Sequence, residues 1–171
     1  MPETKDILLR KAVMEDWEPM YRNIWSQLES AKFMVWDVTD SEEAAIARME
    51  RTIAFQASHD HHWTVVEKAS GQAIGWAGIA VLSPGVCGET GIAIGPAFTG
   101  KGYGKQILNA LTDYARDRLG AKKFIACCRP ENLASRKMQL GCGFSYTHSE
   151  EVIHPRDQVP YTLEYYEKNL L

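Results

Sequence analysis

The chain has 171 residues, 45% of them hydrophobic, and a formal net charge of −3. That length suits one domain with a core large enough to stand without disulfides. No apolar run approaches membrane-spanning length, and the slight acidity lacks the basic excess of a nucleic-acid binder. Residues 1–171 therefore read as a single domain, with no membrane and no nucleic acid among its expected partners.

In chain order, residues 6–12 read as a first strand. Asp16 then caps a helix whose Trp17, Met20, Tyr21, Ile24 and Leu28 share one face. Thr39-Asp-Ser-Glu42 has the capping-box form, with Ile46, Met49 and Ile53 following at helical spacing. Residues 63–67 and 73–82 form paired strands around Ser70-Gly71, and 87–94 form the next. Ile107, Leu108, Leu111, Ala115 and Leu119 give the following helix a buried face, which Gly120 ends. Residues 123–128 make an apolar central strand, 133–140 a short helix, 144–148 a strand, and 159–166 a last strand with Pro160 at its start.

Cys87, Cys127, Cys128 and Cys142 form no C-x-x-C pair, which suits buried free thiols in a reducing compartment. The opening Met-Pro-Glu-Thr-Lys lacks the apolar core of a secretory signal, so a cytoplasmic location is expected. His59-Asp-His-His62 reads as a polar turn, since adjacent loop residues seldom converge on one ion; no metal is expected. Charge is uneven: residues 100–137 hold nine Lys or Arg against three acids, a surplus of six, which leaves −9 for the rest. That division suits an anionic ligand on one half and a cationic one on the other, although Arg116, Arg118, Lys122 and Lys123 equally suit a solvated helix and its exit.

Gly95-Pro-Ala-Phe-Thr-Gly-Lys-Gly-Tyr-Gly-Lys105 runs from an apolar strand into a helix, a setting in which free backbone N–H groups and the helix dipole gather around phosphate oxygens. A triphosphate loop fits Gly95, Gly100 and Lys101 but fails at Gly102, where a magnesium-binding hydroxyl is needed. A dinucleotide fingerprint fails because the spacing is G-x-G-x-G. The third reading is a coenzyme A pyrophosphate cradle.

With Asn132-Leu-Ala-Ser135 and Gly143-Phe144 downstream, the glycine loop resembles the cofactor motif of the GNAT superfamily of acetyl-CoA-dependent N-acetyltransferases. The match is strongest over residues 89–144. It looks closest to the subgroup resembling ribosomal-protein N-terminal acetyltransferases. The superfamily often has Gln or Arg where this chain has Thr99, and a Tyr that protonates the leaving thiolate where it has Gln139. The subgroup tolerates both. The resemblance implies an α/β (α+β) fold with the order βααβββαβαββ: a mixed, mostly antiparallel sheet flanked by helices and splayed between the fourth and fifth strands, where the acetyl-pantetheine arm lies.

The resemblance also implies an acetyl-CoA-dependent N-acetyltransferase acting on a primary amine by direct attack in a ternary complex. Glu89 is the expected base, directly or through water, and Ser135 the donor to the leaving sulfur. Asn132 would hold the pantetheine end or merely cap its helix. The amides of Gly100, Gly102, Tyr103, Gly104 and Lys105 bind the pyrophosphate, with Lys101 and Lys105 screening it and Thr99 beside it. The thioester oxygen takes a main-chain N–H in the run Ile92, Ala93, Ile94. Strand alternation places Glu89, Gly91 and Ala93 on one side. Glu67, Glu150 and Glu151 are weaker candidates for the base. The five tryptophans (17, 25, 36, 63, 76) fall in the first half, where one or two can line an acceptor wall. The expected partners are acetyl-CoA and an amine, with a homodimer as a possible assembly. Open alternatives are a non-catalytic acyl-CoA sensor and a nucleotide switch.

Overall fold

Ile7 and Leu9 are wholly buried and their neighbours are not, so the chain opens as a strand, β1 (Ile7–Arg10). The computed structural model describes residues 2–171. The further strands are β2 (His62–Glu67), β3 (Ala73–Ser83), β4 (Val86–Ile94), β5 (Lys123–Cys128), β6 (Ser145–Ile153) and β7 (Pro160–Asn169). They form one seven-stranded sheet in the order β1-β2-β3-β4-β5-β7-β6. Every pairing is antiparallel except β4 with β5.

Helices cover both faces. On one side α4 (Tyr103–Leu119) buries Ile107, Leu108, Leu111 and Ala115 against Ile7, Leu9, Val65, Ile79 and Phe124. Its last turn ends at Gly120, whose φ of +65° is cheap only without a Cβ. On the other side α1 (Trp17–Met20), the turn that follows it and α3 (Glu42–Ser58) bury Met20, Ile24, Trp25, Ala45 and Met49. α2 (Leu28–Ala31) is a single exposed turn, and α5 (Leu133–Gly141) packs beside α4.

Three local expectations need correcting. The helix expected after Asp16 is broken into a 3₁₀ turn (Met14–Asp16), α1, a π turn (Tyr21–Trp25) and α2, and Leu28 lies exposed. Asp16 sends its carboxylate backward, to the N–H of Val13 and to Arg10 at 2.6 Å, instead of capping α1. The cap of α3 is Ser41, whose Oγ accepts from Ala44 N; Thr39 lies two residues earlier and binds the Arg48 guanidinium. Thirdly, the strand expected over 144–148 runs on to Ile153 as a hairpin with β7.

The π turn has a physical consequence. It sets the main-chain carbonyl of Asn23 against Gly95, where a Cβ would come within 2.2 Å of that oxygen. The Asn23 side chain also donates to Ala73 O at 3.0 Å. The end of β4 is thereby clamped against the first helical segment, which fixes where the glycine loop begins.

Candidate active site

β4 and β5 pair only over residues 86–88 and 123–125, then diverge. Glu89 is the first residue beyond the pairing. Its Oε1 accepts from Cys127 N across the opening at 3.4 Å, and its Oε2 is buried with no partner among the described residues. Burial pushes the carboxyl above the ordinary glutamate range, only partly offset by the N–H groups of Cys127 and Gly91. A carboxylate so placed holds a proton more tightly than one in water.

The expected alternation does not hold along β4. Ala77 pairs with Ile92 but Ile79 with Glu89, so β4 carries one extra residue, at a bulge where Gly91 adopts φ +126°. Glu89 therefore shares the α4 face with Ile92 and Ile94, while Ala93 packs with Trp25 and Met49 on the opposite face. The ladder also sorts the main-chain donors. Gly95 N donates to Ile74 O, so Ala93 N faces β3 and the amides of Ile92 and Ile94 face the opening. Ala93 is thus not a free donor.

Across the opening, Asn132 caps α5 by accepting from Ser135 N at 3.1 Å, which leaves its amide NH₂ free. Ser135 Oγ accepts from Gln139 Nε2 at 3.3 Å, and its hydroxyl also reaches the Cys128 sulfur. Gln139 is buried; the same NH₂ group donates to Cys127 O at 3.2 Å, and the Cys128 thiol donates to its Oε1. One amide therefore ties α5 to the lip of β5 and orients Ser135. Gln139→Leu, similar in size but without these bonds, is expected to cost about 2–3 kcal/mol and to lower the thermal midpoint by roughly 4–10 °C, as differential scanning calorimetry would check.

In the glycine loop, Gly100 and Gly102 sit at φ +77° and +80°, and a Cβ at either would meet only open space. Gly102 is the N-cap of α4 and has no side chain to offer its first turn. The amides of residues 100–105 find no acceptor among the described residues, so they converge on open space at the head of α4. That arrangement fits a diphosphate.

The side chains around the loop are mostly committed. Thr99 Oγ1 donates to Pro96 O within its own turn. Glu67 receives Tyr103 OH at 2.7 Å, Ser70 Oγ at 2.7 Å and Lys101 Nζ at 3.3 Å, which hold its carboxyl below the usual range. Glu67 is thus a buried anchor for the loop, and it draws the Lys101 ammonium to itself. Lys105 is exposed and reaches past Gly141 at the end of α5. Gly104 differs from its neighbours: a Cβ there would stand 2.6 Å from Met138 Sδ, so it serves the packing of α4 on α5.

A cavity of about 410 Å³ occupies the splay. Glu89, Cys127, Asn132 and Ser135 line its depth, Met34, Trp36 and Trp76 one wall, and Arg129 and Tyr161 the other. Trp36 and Trp76 meet edge to face at 5.5 Å. His59, Asp60, His61 and His62 lie outside the cavity lining; the His59 ring stacks on Phe55 at 3.9 Å. Glu150 and Glu151 are exposed on β6.

Sequence reasoning missed Arg129, Cys127, Gln139 and Tyr161 as contributors. Only Gln139 left a trace, as the departure from the superfamily's tyrosine. The other three reach the cavity through the divergence of β5 and the return of β7, which no local spacing encodes.

A family model described as an acetyltransferase (GNAT) domain matches residues 6–145. FsC-acetyl coenzyme A-N(2)-transacetylase of Aspergillus fumigatus is 34% identical over 76 residues, 44% of this chain and 32% of that protein, so the match spans about a third of the relative's length. Among solved structures, the microcin C7 self-immunity acetyltransferase MccE, in complex with acetyl-CoA and AMP, aligns with TM-score 0.80 at 19% identity, covering 97% of this chain and 93% of that one. A Vibrio cholerae protein described as a ribosomal-protein-serine acetyltransferase aligns with TM-score 0.81 at 20% identity, covering 98% and 95%. The splayed mixed sheet, the glycine loop at the head of α4 and the family match over most of its length agree: this chain belongs to the GNAT family of acetyltransferases.

Proposed function

We propose that the chain transfers an acetyl group from acetyl-CoA to a primary amine by direct attack in a ternary complex. The observation that carries this reading is the buried, half-partnered Glu89 carboxylate in the splay, facing Ser135 and the free NH₂ of Asn132 across one cavity. The open amides at residues 100–105 would hold the coenzyme's diphosphate, and acetyl-CoA would supply the activated acyl group.

An amine attacks only when neutral, and α-amino groups and lysines have pKa values of about 8 and 10.4. Glu89, with its raised pKa and an unpartnered oxygen, accepts the amine's proton directly or through a water. The Ile92 and Ile94 amides offer donors to the acyl oxygen as charge develops on it. Ser135 donates to the departing sulfur while Gln139 fixes its oxygen.

Cys127 also lies in the cavity, but burial, followed by the Glu89 charge, pushes its thiol up to about 12. It stays protonated and unsuited to carry the acyl group, which favours direct attack over a covalent route. The four cysteines are free, three of them buried, and no helix among the described residues is long and apolar enough to cross a membrane. A cytoplasmic site of action belongs to this proposal.

The test is release of free thiol from acetyl-CoA in the presence of a panel of amines, amino acids and N-terminal peptides. Amine-dependent release is expected. Coenzyme binding without release from any of them would favour a non-catalytic sensor instead.

A further inference from the structure

Among the described residues Arg129 is the one cation lining the transfer cavity, and its guanidinium is unspent. Its guanidinium takes part in no ion pair or hydrogen bond among the described residues. Nearby arginines are engaged: Arg136 with Glu164 at 3.0 Å, and Arg156 with Asp37. Glu131, two residues on, makes no ion pair with it. The Arg129 guanidinium instead lies over the Tyr161 ring at 4.1 Å, and its Nε is buried with no partner. A ring face orients a guanidinium but accepts none of its hydrogen bonds, so the fork of donors is left without an acceptor.

Among the described residues the only carboxylate lining the same cavity is Glu89, which already accepts from Cys127 N. The cavity thus presents one buried acid and one unpaired planar cation. The acetyl end of the coenzyme and the acceptor amine share this cavity of about 410 Å³, which places the acceptor within reach of both groups.

We propose that Arg129 is an acceptor-recognition residue, and that the acetylated amine carries its own carboxylate a few bonds away: a small free amino acid, not a polyamine or a protein N-terminus. The inference rests on the amine-acceptor reading above. The amine meets Glu89 while the carboxylate takes two parallel N–H bonds from Arg129, a pairing that suits the flat fork of a guanidinium. A site built to bind such a group rejects analogues without it, because its buried donor is then left unpaired.

The test offers each amino acid as the free acid, as its carboxamide and as the decarboxylated amine, and measures thiol release from acetyl-CoA. Rates are corrected for the neutral fraction of each amine. The wild-type chain is expected to prefer the acid of its best acceptor over both analogues by about 10-fold or more. Arg129→Gln should collapse that ratio to within about 3-fold, and Arg129→Lys, which keeps charge but not the fork, should restore part of it. Equal use of acid and carboxamide by the wild type overturns the inference and leaves amine acetylation standing. So does an Arg129→Gln variant that slows all three forms by one common factor. If a chain that binds acetyl-CoA acetylates no amine in any form, both readings fall together.

Discussion

Glu89→Gln is expected to lower kcat for amine acetylation by about 100-fold or more while leaving acetyl-CoA affinity within about 3-fold. The carboxylate is the proton acceptor in this account but lies away from the amides that would grip the diphosphate. Steady-state kinetics beside calorimetric titration separates the two quantities. The wild-type pH profile carries the same signature. Because burial raises the Glu89 pKa, kcat/KM should fall as pH drops through a value above that of an ordinary glutamate, and the Gln variant should lose that limb.

The stability effect has the opposite sign. A carboxyl whose folded pKa is raised binds its proton more tightly in the folded state. Its contribution is therefore fully present below the unfolded pKa and lost as pH rises through the folded one. As pH rises above the ordinary glutamate range the buried Glu89 carboxyl costs stability, so at neutral pH Glu89→Gln is expected to leave the thermal midpoint unchanged or raise it. A large loss of both turnover and stability would point to a structural carboxylate.

Gly102→Val is the second variant with a large expected effect. At φ +80° a β-branched residue is strained by about 1–2 kcal/mol, yet its Cβ would meet nothing in the free protein. The fold should survive with a modest loss of stability. The loop, however, can relieve the strain only by rotating at the residue that aims the first amides of α4. Each charge-assisted bond lost to the diphosphate is worth about 1.5–3 kcal/mol, so acetyl-CoA affinity should fall by roughly 10- to 100-fold or more. Gly104→Ala serves as a contrast, because its Cβ meets the flexible end of Met138. It should cost stability more than affinity.

Much of this was legible in the sequence because it is local. The glycine spacing, the apolar face of α4 and Asn132 at the head of α5 depend on neighbours a few residues apart, and propensity and periodicity report such relations directly. Where tertiary contacts intervene, the pattern misleads. The periodic run after Asp16 suggests one helix, but seating Asn23 on Gly95 breaks it with a π turn. Regular alternation along β4 would put Ala93 beside Glu89, and the bulge at Gly91 reverses that. Lys101 looks like a phosphate ligand by position, yet Glu67, 34 residues earlier, takes its ammonium. Arg129 and Tyr161 meet only because β7 returns beside β5, a pairing between distant segments that leaves no mark on either one.

The central claim is that main-chain amides at the head of α4 hold a coenzyme's diphosphate so that its acyl end enters the splay beside Glu89. Isothermal titration of acetyl-CoA into the purified chain tests it most directly. The account predicts saturable heat at one site per chain, weakened by added salt as expected for a charged ligand and much reduced in Gly102→Val. Absence of heat with both acetyl-CoA and free CoA, from a chain shown to be folded, would contradict it.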